Sequence, residues 1–156
     1  MADLTVTITE AVTLNGGSRG STNTLTVTGV DDVYHRIVTC PASADTTLAV
    51  FKSTEAIADG GIDIENTRYI RVTNLDNTNP VNLSLQVATS ADAAAAASAT
   101  ILLEAGKSFL MGTPHDGIHV DDDAATIITS LKDLESILVD PGSNAVQMEC
   151  FIALVV

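Results

Sequence analysis

Leu4-Thr5-Val6-Thr7-Ile8-Thr9 alternates apolar and polar side chains without a fault. In a β-strand successive side chains point to opposite faces. This segment therefore offers Leu4, Val6 and Ile8 to a core and Thr5, Thr7 and Thr9 to water. Thr24-Leu25-Thr26-Val27-Thr28 repeats the pattern, and Val81-Asn82-Leu83-Ser84-Leu85-Gln86-Val87 does so again. A sheet with one wet face is characteristically antiparallel, because parallel sheets are covered on both faces and read as continuous apolar runs. Composition agrees: Val, Ile and Thr make up 47 of 156 residues, and their branched Cβ atoms suit a pleated surface better than a helix. The chain reads as all-β.

Working outward, further strands are expected at 33–39, 46–51, 68–73, 100–103, 107–111, 117–120 and 146–156. Turn residues separate them: Asn15-Gly16-Gly17, Asp59-Gly60-Gly61, Asp76 to Pro80, Ala105-Gly106 and Asp140-Pro141-Gly142. Ala105-Gly106, between two apolar runs, reads as a tight hairpin. About eight to ten short strands at this spacing predict an antiparallel β-sandwich of jelly-roll type. With no repeat and no linker, residues 1–156 form one domain. Two stretches depart from the pattern. Leu131, Leu134 and Leu138 stand at helical spacing, with Ser130 and Asp133 resembling a capping box, so one helical turn followed by a strand at 136–139 is expected. Residues 90–99 have helical composition but are too short to be helical alone, and are expected at a loop tip.

Twenty acidic residues against seven basic ones give a net charge of −13. Only 17% of residues are charged and 46% are hydrophobic, unlike a disordered acidic tail. Nucleic acid is not an expected partner, since such binding rests on basic patches. A membrane is not expected either, since no apolar run approaches the ~18 residues of a span. Met1-Ala2-Asp3 opens neither a basic nor an apolar leader. The acids gather at Asp31-Asp32, Asp59 to Glu65 and Asp121 to Asp123, which reads as charge on loop rims.

Catalysis needs a nucleophile, or an acid and a base, within mutual reach. His35 falls in a predicted strand and reads as structural. His115 and His119, with Asp116, Asp121, Asp122 and Asp123, have the composition of a metal cluster. Pro114 and Gly117 break any helix there, however, and along a strand the two imidazoles stand some 13 Å apart. Asp76-Asn77-Thr78-Asn79 opens like a calcium loop, but Val81 and Val87 occupy the positions of the required Gly and Glu; it reads as a self-bonded turn. Cys40 and Cys150 lack metal or redox spacing and read as buried free thiols. Asn82-Leu83-Ser84 matches a glycosylation acceptor by chance. The glycine-rich loop at 16–20 lacks a P-loop lysine. Five aromatics are too few for a stacking or sugar-binding surface. No catalytic, metal or cofactor residues are assigned, and no enzyme is expected. The fully apolar end of the last strand, Phe151 to Val156, suits a strand covered on both faces, either centrally or by another subunit. It and the alanine tract Ala91 to Ala99 read first as ordinary core and ordinary loop, and are otherwise the places to look for subunit or capsid contact.

One texture runs through most of the chain: Arg68-Tyr69-Ile70-Arg71-Val72-Thr73-Asn74-Leu75-Asp76, then Asn79-Pro80-Val81, then Ile101 to Phe109 through Leu103-Glu104-Ala105-Gly106-Lys107. Thr7 to Gly16 and Arg36 to Pro41 flank it. This resembles small virion proteins of tailed bacteriophages, marine ones especially. The resemblance implies a β-sandwich structural protein without an active site: a capsid decoration (cement) protein on the outside of the shell. Its partners would be the phage major capsid protein and itself, as a trimer or dimer. It would be made in the bacterial host cytoplasm and end on the virion surface. The same resemblance fits a tail or head–tail joining component, and the fold alone also suits a non-catalytic ligand-binding module.

Overall fold

The computed structural model describes residues 1–52, 60–87, 97–121 and 127–155. Twelve strands follow in order: β1 Ala2–Thr9, β2 Thr13–Leu14, β3 Gly17–Ser18, β4 Thr22–Cys40, β5 Thr46–Lys52, β6 Ile62–Asp63, β7 Thr67–Asn74, β8 Val81–Val87, β9 Ala97–Leu103, β10 Ser108–Met111, β11 Leu134–Asp140 and β12 Val146–Val155. They form two five-stranded sheets, β1-β4-β12-β7-β10 and β6-β5-β11-β8-β9, while β2 and β3 pair with each other. Among the described residues every strand pairing is antiparallel except β5 with β6.

The connectivity is that of a jelly roll. Of the eight long strands from β4 onward, the first pairs with the last, β4 with β12. The second pairs with the seventh, β5 with β11, the third with the sixth, β7 with β10, and the two middle strands, β8 and β9, with each other. One long antiparallel ribbon has thus been wound into a sandwich. The connections 41–45, 75–80, 104–107 and 141–145 each cross from one sheet to the other. Main-chain bonds gather them at one end: Ser43 N donates to Gly142 O (2.6 Å), Asn74 N to Lys107 O (2.9 Å) and Leu75 N to Gln147 O (2.9 Å).

Alternate residues of the facing strands fill the space between the sheets. Ile70, Leu83, Leu134, Ile137, Met148 and Ile152 are among the largest fully buried side chains, each worth about 1.5–3 kcal/mol relative to exposure. A smaller cluster lies on the opposite face of the first sheet, where Val30, Tyr69 and Ala153 are buried under Leu4, Val6 and Val27. It exists because β4 bends. Residues 22–30 pair with β1 and residues 30–40 with β12. The change of partner falls at Gly29 (φ +74), a conformation glycine adopts without a Cβ penalty. Beyond the bend, β1 and β4 form a hairpin arm running through β2 and β3. Its tip, Asn15 (φ 52) and Gly16 (φ 75), is the type I′ turn that matches strand twist.

Several expectations are corrected. The segments 24–28 and 33–39 are one strand of 19 residues, not two. Ala105-Gly106 is not a hairpin: β9 pairs with β8 and β10 with β7, so this turn joins the sheets. No helix occurs among the described residues, and the stretch 129–139 enters β11 at Leu134. The strand expected at 117–120 is a single bridge between Ile118 and Lys132. Asp31 and Asp32 lie within β4, not in a loop, and Asp63 is buried (7% exposed). There Asp63 accepts from Glu65 N (3.0 Å), Asn66 N (3.3 Å) and Asn66 Nδ2 (2.8 Å), which satisfies its carboxylate out of water. Asp59, Asp122, Asp123 and most of the alanine tract (90–96) lie outside the described residues, while Ala97 and Ala99 belong to β9.

Candidate functional site

The outer face of the first sheet carries the densest side-chain constellation, in three rows set by strand register. Ile37 lies opposite Glu149, Glu149 opposite Thr73, and Thr73 opposite Ser108. His35, Phe151, Arg71 and Leu110 form the next row, and Val33, Ala153 and Tyr69 the third. The arm covers part of the third row. The first two stay open, with Ile37 61% and Leu110 42% exposed, and Val33 at the end of the third row is 43% exposed.

Glu149 ties the face together. One carboxylate oxygen takes a hydrogen bond from Arg71 Nη1 at 2.7 Å, and the other lies 2.7 Å from His35 Nε2. Arg71 also donates to Thr73, whose hydroxyl bonds Ser108 at 2.8 Å, so a polar ladder crosses β4, β12, β7 and β10. The Arg71 bond, then the His35 bond, hold the Glu149 carboxyl at about 2 against a burial effect of opposite sign. Phe151 lies beneath, its ring 5.6 Å from His35 and 6.2 Å from Tyr69, with the Arg71 guanidinium 5.9 Å above it. Among the described residues no hydroxyl or thiol is hydrogen-bonded to His35. The ladder fixes charges in place. It does not set a nucleophile beside a base.

The other candidates disperse. His115 Nδ1 lies 3.1 Å from Asp133 Oδ1, off the alignment of a hydrogen bond, and its Nε2 lies 3.4 Å from Asp116. His119 Nδ1 turns instead to Ser130 O at 2.8 Å. Asp133 accepts from Asp116 N at 2.7 Å, an inter-loop tie in place of a helix cap. Among the described residues no three His, Cys, Asp or Glu side chains are grouped to hold a metal ion. Asp76 Oδ1 accepts from Thr78 N and Asn79 N, both at 2.7 Å. These bonds, Asn79 first, lower its pKa, and the segment is the self-bonded turn expected.

Cys40 and Cys150 are free and buried. Register sets Cys40 beside Val146 and Cys150 beside Arg36, four residues apart along the strands, roughly 13 Å and beyond disulfide reach. Burial raises the Cys40 pKa and pushes Cys150 up to about 12. Asn82 is exposed on β8, while Ser84 Oγ accepts from Gln86 Nε2 at 2.7 Å. Gly17 and Ser18 are β3 of the arm tip. The apolar last strand is central in its sheet, and Ile152, Ala153 and Leu154 are covered by this chain's own residues. They form core, not a free contact surface.

The Arg71–Glu149–His35 ladder is not among the sites read from the sequence. Its only signal was a lone charge of each sign at an outward strand position. An open groove of about 420 Å³ also runs between residues 25–28 of the arm and Arg68, Gly112, Thr113 and Val155.

Fold and face together define a jelly-roll protein with an open, mixed apolar and charged sheet surface. No family model matches the chain, and no curated protein does. Among solved structures it aligns with one from Bacillus, from work titled "Bacillus endospore appendages form a novel family of disulfide-linked pili". The alignment covers 80% of this chain and 89% of that one, at 9% identity and a TM-score of 0.39. A likeness at this level carries no argument about this chain.

Proposed function

We propose that the chain is a non-catalytic structural protein of a tailed-phage virion. In this reading it is a capsid decoration protein that binds the outer surface of the major capsid shell as a homo-oligomer and stabilises it. The phage assignment rests on the resemblance carried by residues 68–81 and 101–109. The observation that supports a binding role is the outer face of the first sheet. There Ile37, Val33 and Leu110 are exposed around a fixed Arg71–Glu149–His35 ladder, in keeping with apolar surface rimmed by polar groups at contact sites. The acidic balance keeps a protein displayed at high copy number from clumping.

The test is particle imaging combined with quantitation of the protein per virion. Decoration predicts symmetric positions on the head and loss of occupancy in Ile37→Asp and Leu110→Asp, both of which should still fold. A copy number of about a dozen at the neck or tail would move the protein to a joining role. Absence from particles would end the virion reading.

A further inference from the structure

Strand β1 is an edge. Among the described residues its only strand partner is β4, so its second row of main-chain donors and acceptors faces outward. Natural edge strands are kept from pairing by Lys, Pro, bulges or brevity. Ala2–Thr9 spans eight residues and contains neither Lys nor Pro, with Asp3 its single charge. Its one irregularity lies between Ala2 and Leu4, so Leu4 to Thr9 is regular. The arm it belongs to is a two-stranded ribbon beyond its root, and such ribbons are marginal in water on their own. Its apolar side is packed at Leu4 and Val6, yet Ile8 further out is 49% exposed and Leu25, across from Val6, 48%.

From these features we infer that β1 binds the β1 of a second copy of this chain, antiparallel about a two-fold axis at Val6. The sequence is self-complementary in that register. Leu4 meets Ile8 of the other copy, Val6 meets Val6 and Thr5 meets Thr7, so apolar and threonine faces both run on unbroken. A slip of one residue would set Thr against Leu, Val and Ile. Asp3 falls opposite Thr9, so no carboxylates oppose one another along the seam. In a chain of net charge −13, that makes this edge a surface where two copies approach with little repulsion. The result is a ten-stranded sheet closed by an isologous contact. The inference does not depend on the capsid reading, because it concerns the free protein.

The test uses light scattering and Val6→Cys. Wild type should be a dimer. Thr5→Lys with Thr7→Lys sets like charges opposite across the seam and should raise the dimer dissociation constant ~10-fold or more. Thr5→Lys with Thr7→Glu pairs opposite charges in this register and should restore the dimer. Val6→Cys should bridge to its own copy with dibromobimane, since Cβ atoms of facing residues lie about 4.5–5.5 Å apart. Cys40 and Cys150, both 0% exposed, stay out of reach of the reagent. A monomeric wild type, a dimer unmoved by the two lysines, or Val6→Cys that dimerises without bridging would each overturn the inference.

Discussion

The side-chain amide of Asn74, at the end of β7, donates to the main-chain carbonyl of Leu103, at the end of β9 in the other sheet, at 3.3 Å. The same nitrogen donates to Asn79 O at 2.9 Å, and Asn74 Oδ1 accepts from Asp76 N at 3.0 Å. With no exposed surface, this one amide satisfies three main-chain groups where the chain crosses between sheets.

Asn74→Ala should therefore cost about 2–4 kcal/mol, because it strands the buried Leu103 carbonyl together with the part-buried Asn79 carbonyl and Asp76 N–H. Asn74→Asp keeps the volume but turns a carboxylate toward two carbonyl oxygens. It should be at least as damaging at pH 7 and recover partly in acid, where the carboxyl can donate. Urea melts at pH 7 and pH 4 measure both. A wild-type midpoint for Asn74→Asp at pH 7 would refute the role.

Glu149 links stability to acid. Its folded pKa of about 2 lies below the ordinary value of 4.5, so it contributes stability above the unfolded pKa and loses it as pH falls through the folded one. Glu149→Gln should cost about 1–2 kcal/mol at pH 7. The gap to wild type should stay flat down to about pH 5 and close between there and pH 2. A gap that does not change with pH would show that the carboxylate charge is not what counts.

At Gly29 the backbone, not space, is limiting. A Cβ there would meet nothing nearer than Met1 Sδ at 4.0 Å, yet φ is +74. Gly29→Val should cost about 1–3 kcal/mol and Gly29→Asn distinctly less, since Asn tolerates this region. Equal thermal shifts for the two would point to packing instead.

The two thiols should be silent in the folded protein. Both are buried and their pKa values are raised, so the thiolate that reacts is scarce as well as shielded. Ellman's reagent should find no reactive thiol under native conditions and two after denaturation. Fast labelling of either in the native state would contradict the burial.

Most of the strands and turns were legible in the sequence, because a period of two is a local property and Thr, Val and Ile write it plainly at 4–9 and 81–87. The inward face came true at 81–87, whereas at 4–9 Leu4 and Val6 are only part-buried and Ile8 is 49% exposed. Pairing was not legible. Alternation says which way Leu83 points but not which strand lies beside it, so Ala105-Gly106 read as a hairpin although each flanking strand pairs with another partner. The spacing of Leu131, Leu134 and Leu138 suggested a helix. Only tertiary contact separated them, burying Leu134 to 1% and leaving Leu131 41% exposed. The ladder of the candidate face depended on the fold entirely. Glu149 stands 78 residues from Arg71 and 114 from His35, and no local pattern spans such a distance. Winding the ribbon put β12 between β4 and β7, and strand register then brought Arg71, Glu149 and His35 together.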